Sequence, residues 1–242
     1  MINTPHNPAG TILRDADMRR IADMLRGTDI ILLSDEVYEH LVFDGEPHAS
    51  AINYSELRER AFVIFSFGKV FHTTGWKMGY ALAPKALMTE FRKVHQFNVF
   101  SGNHPMQAAF ADFMADPSEY IGLPDFYQQK RDFFLQAMAN TRFKPLSCKG
   151  TYFQLFDYSS ISDEPDLDFC KRITVEYGVA AIPVSAFFSD GRDDDSVDLA
   201  VGTDFTTLTH NDDIDAVLAG LRPDATEPAD PALIAKIHGA SC

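Results

Sequence analysis

Cysteine is scarce in this sequence: three residues in 242, Cys148, Cys170 and Cys242, widely spaced and without a Cys-x-x-Cys pair. That pattern argues against a disulfide framework or a thiolate metal site and suits free thiols in a reducing cytoplasm. Positive charge is also in short supply. Twenty-one Lys and Arg stand against 35 Asp and Glu, a formal net charge of −14. A field of that sign repels phosphate backbones, so nucleic acid is not an expected partner. Long apolar runs are missing. No stretch approaches the ~20 residues of a membrane span. The start, Met-Ile-Asn-Thr-Pro-His, lacks the basic-then-apolar order of a secretory signal. Neither a membrane nor a secretory route is expected.

What is present suits a globular fold. Hydrophobic residues make up 45%, with 20 Phe and eight Tyr to build a core. Helical spacing of apolar residues predicts a helix over 12–26, and an apolar run predicts a buried strand over 29–33. Further strands are expected at 61–66 and 78–83, and helices at about 86–98, 104–115 and 124–141. The character then changes. Residues 151–158 alternate with aromatics, 166–177 read as a helix, and 179–183 and 197–201 as strands. A last helix is expected over 211–222, capped near Asn211. The expected class is α/β: a mostly parallel sheet in residues 1–120 and a smaller α+β domain in 121–222. The Pro-, Asp- and Glu-containing tail, 223–242, reads as mobile apart from an apolar patch at 233–237.

Four segments carry chemistry. Asn3-Thr-Pro-His-Asn-Pro-Ala-Gly10 is a Pro- and Gly-punctuated loop before a helix. Asp35-Glu-Val-Tyr38 sets a carboxylate at a strand end and a phenol three residues on. Ser66-Phe-Gly-Lys69 places a hydroxyl, a tight turn and an amine beyond a buried strand, and Gly75-Trp-Lys77 follows. Taken singly, each is ordinary: a turn, a helix cap, a solvated lysine. His72 and His95 have no partner at metal-ligand spacing, and the acidic run Asp190–Asp195 lacks the Gly and Glu placement of a calcium loop, so no metal is expected.

In this order, NxPxNPxG, DEVY, SxGK and GWKxGY, the segments resemble class I/II pyridoxal-phosphate-dependent aminotransferases of fold type I, closest to the methionine and kynurenine aminotransferase branch. The stretches 124–132, 150–153 and 178–187 agree, and the likeness runs to about residue 222. The resemblance implies a partial fold type I architecture and pyridoxal 5′-phosphate as cofactor. It implies that Lys69 forms the Schiff base and acts as the proton-moving base. Asp35 would pair with the pyridine nitrogen, and Tyr38 and Asn7 would bond the phenolic oxygen. Ser66 and Lys77 would hold the phosphate. It also implies a cytoplasmic homodimer that acts on an amino acid and a 2-oxo acid.

Two departures bear on these expectations. The likeness begins inside the family's pattern, so an N-terminally truncated member is expected. The phosphate-binding helix start and ring-stacking aromatic would lie upstream, leaving an apolar sheet edge uncovered. The family's Arg that grips the substrate carboxylate aligns with Asp198, and Arg192 lies six residues earlier. Two further readings therefore remain: a related cofactor chemistry, lyase or amine-directed, and a non-catalytic remnant.

Overall fold

A computed structural model describes residues 1–194 and 196–200, the last three by backbone alone. The expectations for Val201, the 211–222 helix, the 223–242 tail and Cys242 lie outside these residues. The chain forms two compact units. One comprises Met1–Asn7, Thr11–Phe126 and Lys149–Thr151. The other comprises, among the described residues, Pro8–Gly10, Tyr127–Cys148 and those from Tyr152 to Ala200. The division at 126/127 falls inside the helix Leu123–Met138.

The first unit is built on a four-stranded sheet of order β1-β2-β3-β4, with β1 Ile2–Asn3, β2 Leu32–Asp35, β3 Ala61–Ser66 and β4 Gly79–Leu82. β1, β2 and β3 run parallel, and β4 is antiparallel to β3. In β3 the alternation is visible in burial: Ala61, Val63 and Phe65 face the core. They pack with Leu32 of β2, Ala49, Ala51 and Leu57, and with Met18 and Ala22 of the helix Asp15–Leu25. That helix starts where Asp17 Oδ2 accepts the Arg14 amide at 2.9 Å, satisfying one of the first-turn donors.

β2 begins three residues later than the apolar run 29–33 suggests. Ile30 and Ile31 are exposed, and the Arg60 guanidinium donates to the carbonyls of Leu25, Thr28 and Ile30. Those side-chain bonds satisfy the loop's carbonyls, and ladder pairing starts at Leu32, whose amide donates to Arg60 O.

The second unit holds a sheet of order β5-β6-β8-β7: β5 Lys144–Pro145, β6 Phe153–Asp157, β7 Ile182–Pro183 and β8 Ser196–Ala200. The helix Asp166–Tyr177 covers it with Phe169, Cys170 and Ile173. Tyr158 stacks on Phe169 with ring centres 4.1 Å apart, and Phe156 is fully buried beside Phe143. Truncating Phe156 to Ala removes a ring from a site with no solvent access. The expected cost is about 3–5 kcal/mol, read as a lower urea midpoint for this unit. An unchanged midpoint would contradict the packing.

Candidate active site

Parallel strands bring their carboxyl ends to one edge of a sheet, where open α/β sheets bind ligands. Asn3 lies level with Asp35, and Asp35 with Ile64, two residues before Ser66. β4 returns antiparallel, and its first residue, Gly79, pairs with Ser66. Lys77, two residues ahead of Gly79, therefore belongs to the same edge.

Three of the six expected residues meet directly. The Tyr38 side chain is buried, and Lys69 Nζ lies 5.6 Å from the centre of its ring. Asn7 Nδ2 donates toward the Tyr38 hydroxyl at 3.5 Å, the long limit of a hydrogen bond. Asp35 is half-buried at the end of β2, and its Oδ1 accepts the Val37 amide at 3.3 Å. Ser66 ends β3 and occupies the cap position of the helical turn Phe67–Val70, with its hydroxyl uninvolved in capping. Lys77 is exposed, with φ +55°, a left-handed backbone uncommon outside glycine.

Two residues outside the expected set organise this edge. Asn3 Nδ2 donates to Asp35 O at 3.0 Å, and Asn3 Oδ1 accepts the Asn7 amide at 2.8 Å. Asn3 thus ties the loop bearing Asn7 to the strand bearing Asp35. Its position as the first residue of the NxPxNPxG segment was the available signal. The second is Gly68. Its carbonyl accepts from Thr73 N at 3.1 Å and Thr74 Oγ1 at 3.2 Å. A Cβ at Gly68 would stand 2.8 Å from Thr74 Cα, so only glycine lets the chain close beside Lys69.

This edge carries an amine, a carboxylate acceptor, a phenol, an amide, a hydroxyl and a second cation. This is a fitting set for an aldehyde, a protonated ring nitrogen, a phenolate oxygen and a phosphate on one small molecule. The glycine-dependent closure beside Lys69 keeps the amine at the strand ends.

The neighbourhood is acidic and partly desolvated. Burial pushes the Glu39 carboxyl up to about 7, with the negative charge of Glu36 adding to the rise and His48 opposing it. The Tyr80 hydroxyl donates to Glu39 at 3.5 Å. Burial also lowers His40.

In the second unit, Arg192 is engaged locally. Its guanidinium lies 4.0 Å from the Phe188 ring centre, and its Nε is 3.6 Å from Asp194 Oδ2. The backbone of Asp198 pairs with Leu155 and Ile182; its side chain lies outside the described residues. No helix among the described residues is long and apolar enough to cross a membrane.

The profile of the family "Aminotransferase class I and II" matches residues 1–194. The Escherichia coli K12 methionine aminotransferase is 49% identical over 191 residues, covering 78% of this chain and 50% of that protein. Human kynurenine–oxoglutarate transaminase 1 is 33% identical over 208 residues, covering 78% and 49%. A solved Escherichia coli structure assigned a methionine aminotransferase function superposes with a TM-score of 0.80 at 47% identity, over 82% of this chain and 52% of that one. The Mycobacterium tuberculosis N-succinyldiaminopimelate aminotransferase also gives 0.80, at 30% identity, over 90% and 56%. The chain spans about half the length of the curated relatives it matches.

The Glu39 position generates a pH prediction. The folded chain holds this proton more tightly than the unfolded chain, whose value is near 4.5. The resulting stabilisation is complete below about 4.5 and is lost as pH rises through about 7. His40, with its lowered value, contributes the opposite slope, so the comparison is by difference. Thermal midpoints of wild type minus Glu39→Gln should fall as pH rises from about 4.5 to 7; a flat difference would contradict the burial of this carboxyl.

Proposed function

The chain belongs to the class I and II aminotransferase family, whose members depend on pyridoxal phosphate, and from that premise we propose that it binds this cofactor through Lys69 and moves an amino group between an L-amino acid and a 2-oxo acid. The observation that carries the reading is the Lys69 amine over the Tyr38 ring, on the strand edge that ends in Asp35 and Ser66. The amino acids named by its relatives, methionine and kynurenine, are the first substrates to assay.

Pyridoxal phosphate, when bound, supplies an aldehyde and a ring that withdraws electrons from the substrate α-carbon. The rest is the work of this chain's residues. Asp35, an acceptor at the end of β2, holds a proton on the ring nitrogen. Tyr38 and Asn7 donate to the phenolic oxygen. Ser66 and Lys77 hold the phosphate, a hydroxyl donor and a point charge from consecutive segments. Lys69 is the residue that would hold the cofactor through its aldehyde, and its amine would serve as the base that moves a proton at the substrate α-carbon.

We read the chain as part of a cytoplasmic homodimer. Supporting this are the buried thiols of Cys148 and Cys170 and the exposed apolar side chains of Phe97 and Phe100, 86% and 82% accessible. A second reading, a related lyase or amine-directed chemistry, is favoured by Asp198 where the family carries Arg. Half-reactions separate them: preference for α-amino acids over simple amines excludes the amine-directed form, and amino transfer to a 2-oxo acid without loss of a side-chain group excludes the lyase form.

Borohydride treatment of the chain with pyridoxal phosphate should fix the cofactor's mass on the peptide containing Lys69, and Lys69→Ala should abolish it. Cofactor mass on other lysines only, or on none, would sink the proposal. Asp35→Asn should retain the mass yet lower the amino-transfer rate by about 100-fold or more, the scale of one lost electrostatic contact to charge that develops in the transition state.

A further inference from the structure

We propose that the buried pair Glu36–His48 is the positioning element of this site, holding in place the turn that carries Asp35 and Tyr38. The inference rests on the cofactor reading above. Successive residues at a strand end face opposite sides. Asp35 is half-buried, with its Oδ1 on the Val37 amide, and Glu36 lies on the other face, where its side chain has no solvent access. Its Oε1 accepts Ser34 Oγ at 2.8 Å and the Ala51 amide at 2.9 Å; its Oε2 meets His48 Nε2 at 2.8 Å. His48 is itself largely buried, with 14% of its side chain accessible. The Glu36 backbone is held too: its amide donates to Ile64 O at 2.9 Å, and its carbonyl accepts the Glu39 amide at 3.0 Å. One residue is thereby fastened to β2, to β3, to the Ala51 turn and to the 46–50 segment. Asp35 precedes it directly, and Tyr38 follows two residues later.

Burying a carboxylate is expensive unless its acceptor sites are filled. Here burial alone would raise the group. Hydrogen bonds from His48, Ser50 and the Ala51 amide overcome that and hold it below the ordinary glutamate value. The groups that face the pair are Glu39 and His40 on the same turn and Tyr80 of β4. None of them replaces a bond to Glu36. A purely packing role would need only a side chain of this volume, whereas a clamp needs the acceptor pattern.

Two substitutions separate these roles. In Glu36→Gln the amide oxygen keeps Ser34 Oγ and Ala51 N, and its N–H donates to His48 Nε2 in the tautomer that leaves that nitrogen an acceptor, so the clamp persists without the carboxylate charge. Glu36→Leu fills the space and strips every hydrogen-bond partner of the carboxylate, Ser34, Ser50, Ala51 and His48. Two readouts apply: hydrogen exchange of residues 35–39 in the cofactor-free chain, against 61–66 as reference, and the apparent affinity for pyridoxal phosphate with its borohydride-fixed mass on Lys69. The Gln variant should stay within about twofold of wild type on both. The Leu variant should exchange 35–39 about tenfold faster or more, with 61–66 unmoved, and bind the cofactor about tenfold more weakly. Should Glu36→Leu fail to fold, His48→Ala, which leaves the Ser34 and Ala51 bonds, should move both readouts the same way. Cofactor affinity in Glu36→Leu or His48→Ala equal to wild type, or exchange in them that rises equally in both segments, overturns the proposal. A wild-type chain that takes no mass on Lys69 instead overturns the cofactor reading itself.

Discussion

Slip the pairing of β2 against β3 by one residue and every side chain of β2 changes face. Asp35 would turn into the core, Glu36 would reach solvent, and the level at which Ser66 and the Lys69 turn leave the sheet would no longer match. The observed register pairs Leu32 with Ala61 and Asp35 with Ile64. It is held at the start by the Leu32 amide on Arg60 O and at the end by the Glu36 amide on Ile64 O. Side chains then add to it: Arg60 closes the loop before β2, and Glu36 anchors the turn after it. The site depends on this pairing because its groups come from different strands and meet only if those strands end together.

Given that register, the chemistry follows from what stands at the strand ends. A carboxylate ends β2, a hydroxyl ends β3 and an amine follows in the next turn, with the Asn7 loop tied to β2 by Asn3 and a second cation standing two residues before β4. The backbone is specialised where it must be. Gly68 allows the Thr74 backbone to close beside Lys69, and Gly150 sits where a Cβ would stand 2.6 Å from Leu41 O. The glycine in the 150–153 segment is thus explained by close approach of two backbones within the first unit.

Much of this was legible in the sequence, and the exceptions have physical causes. β3 matches its apolar run residue for residue, because a strand buried on alternate positions and ending in a turn has few other solutions. The helices at 85–98 and 166–177 were readable from apolar spacing. β2 was displaced because an arginine 30 residues away satisfies the carbonyls of Ile30 and its neighbours, a contact that no local pattern encodes. β1 went unread because two residues carry no period. Of the candidate site, the ordered motifs pointed to Asn7, Asp35, Tyr38, Ser66, Lys69 and Lys77. The Glu36–His48 pair has no local sequence signature, because its partners lie 12 residues apart and meet only once the 46–50 segment folds back on the turn after β2.

The central claim is that Lys69 and Asp35 address opposite ends of one pyridine ring. A crystal structure of the chain grown with pyridoxal phosphate tests it most directly. The account predicts density continuous with Lys69 Nζ and a ring nitrogen within about 2.6–3.2 Å of the Asp35 carboxylate. Asp35 and Lys69 side chains in separate cavities, with the cofactor absent or bound elsewhere, would contradict it.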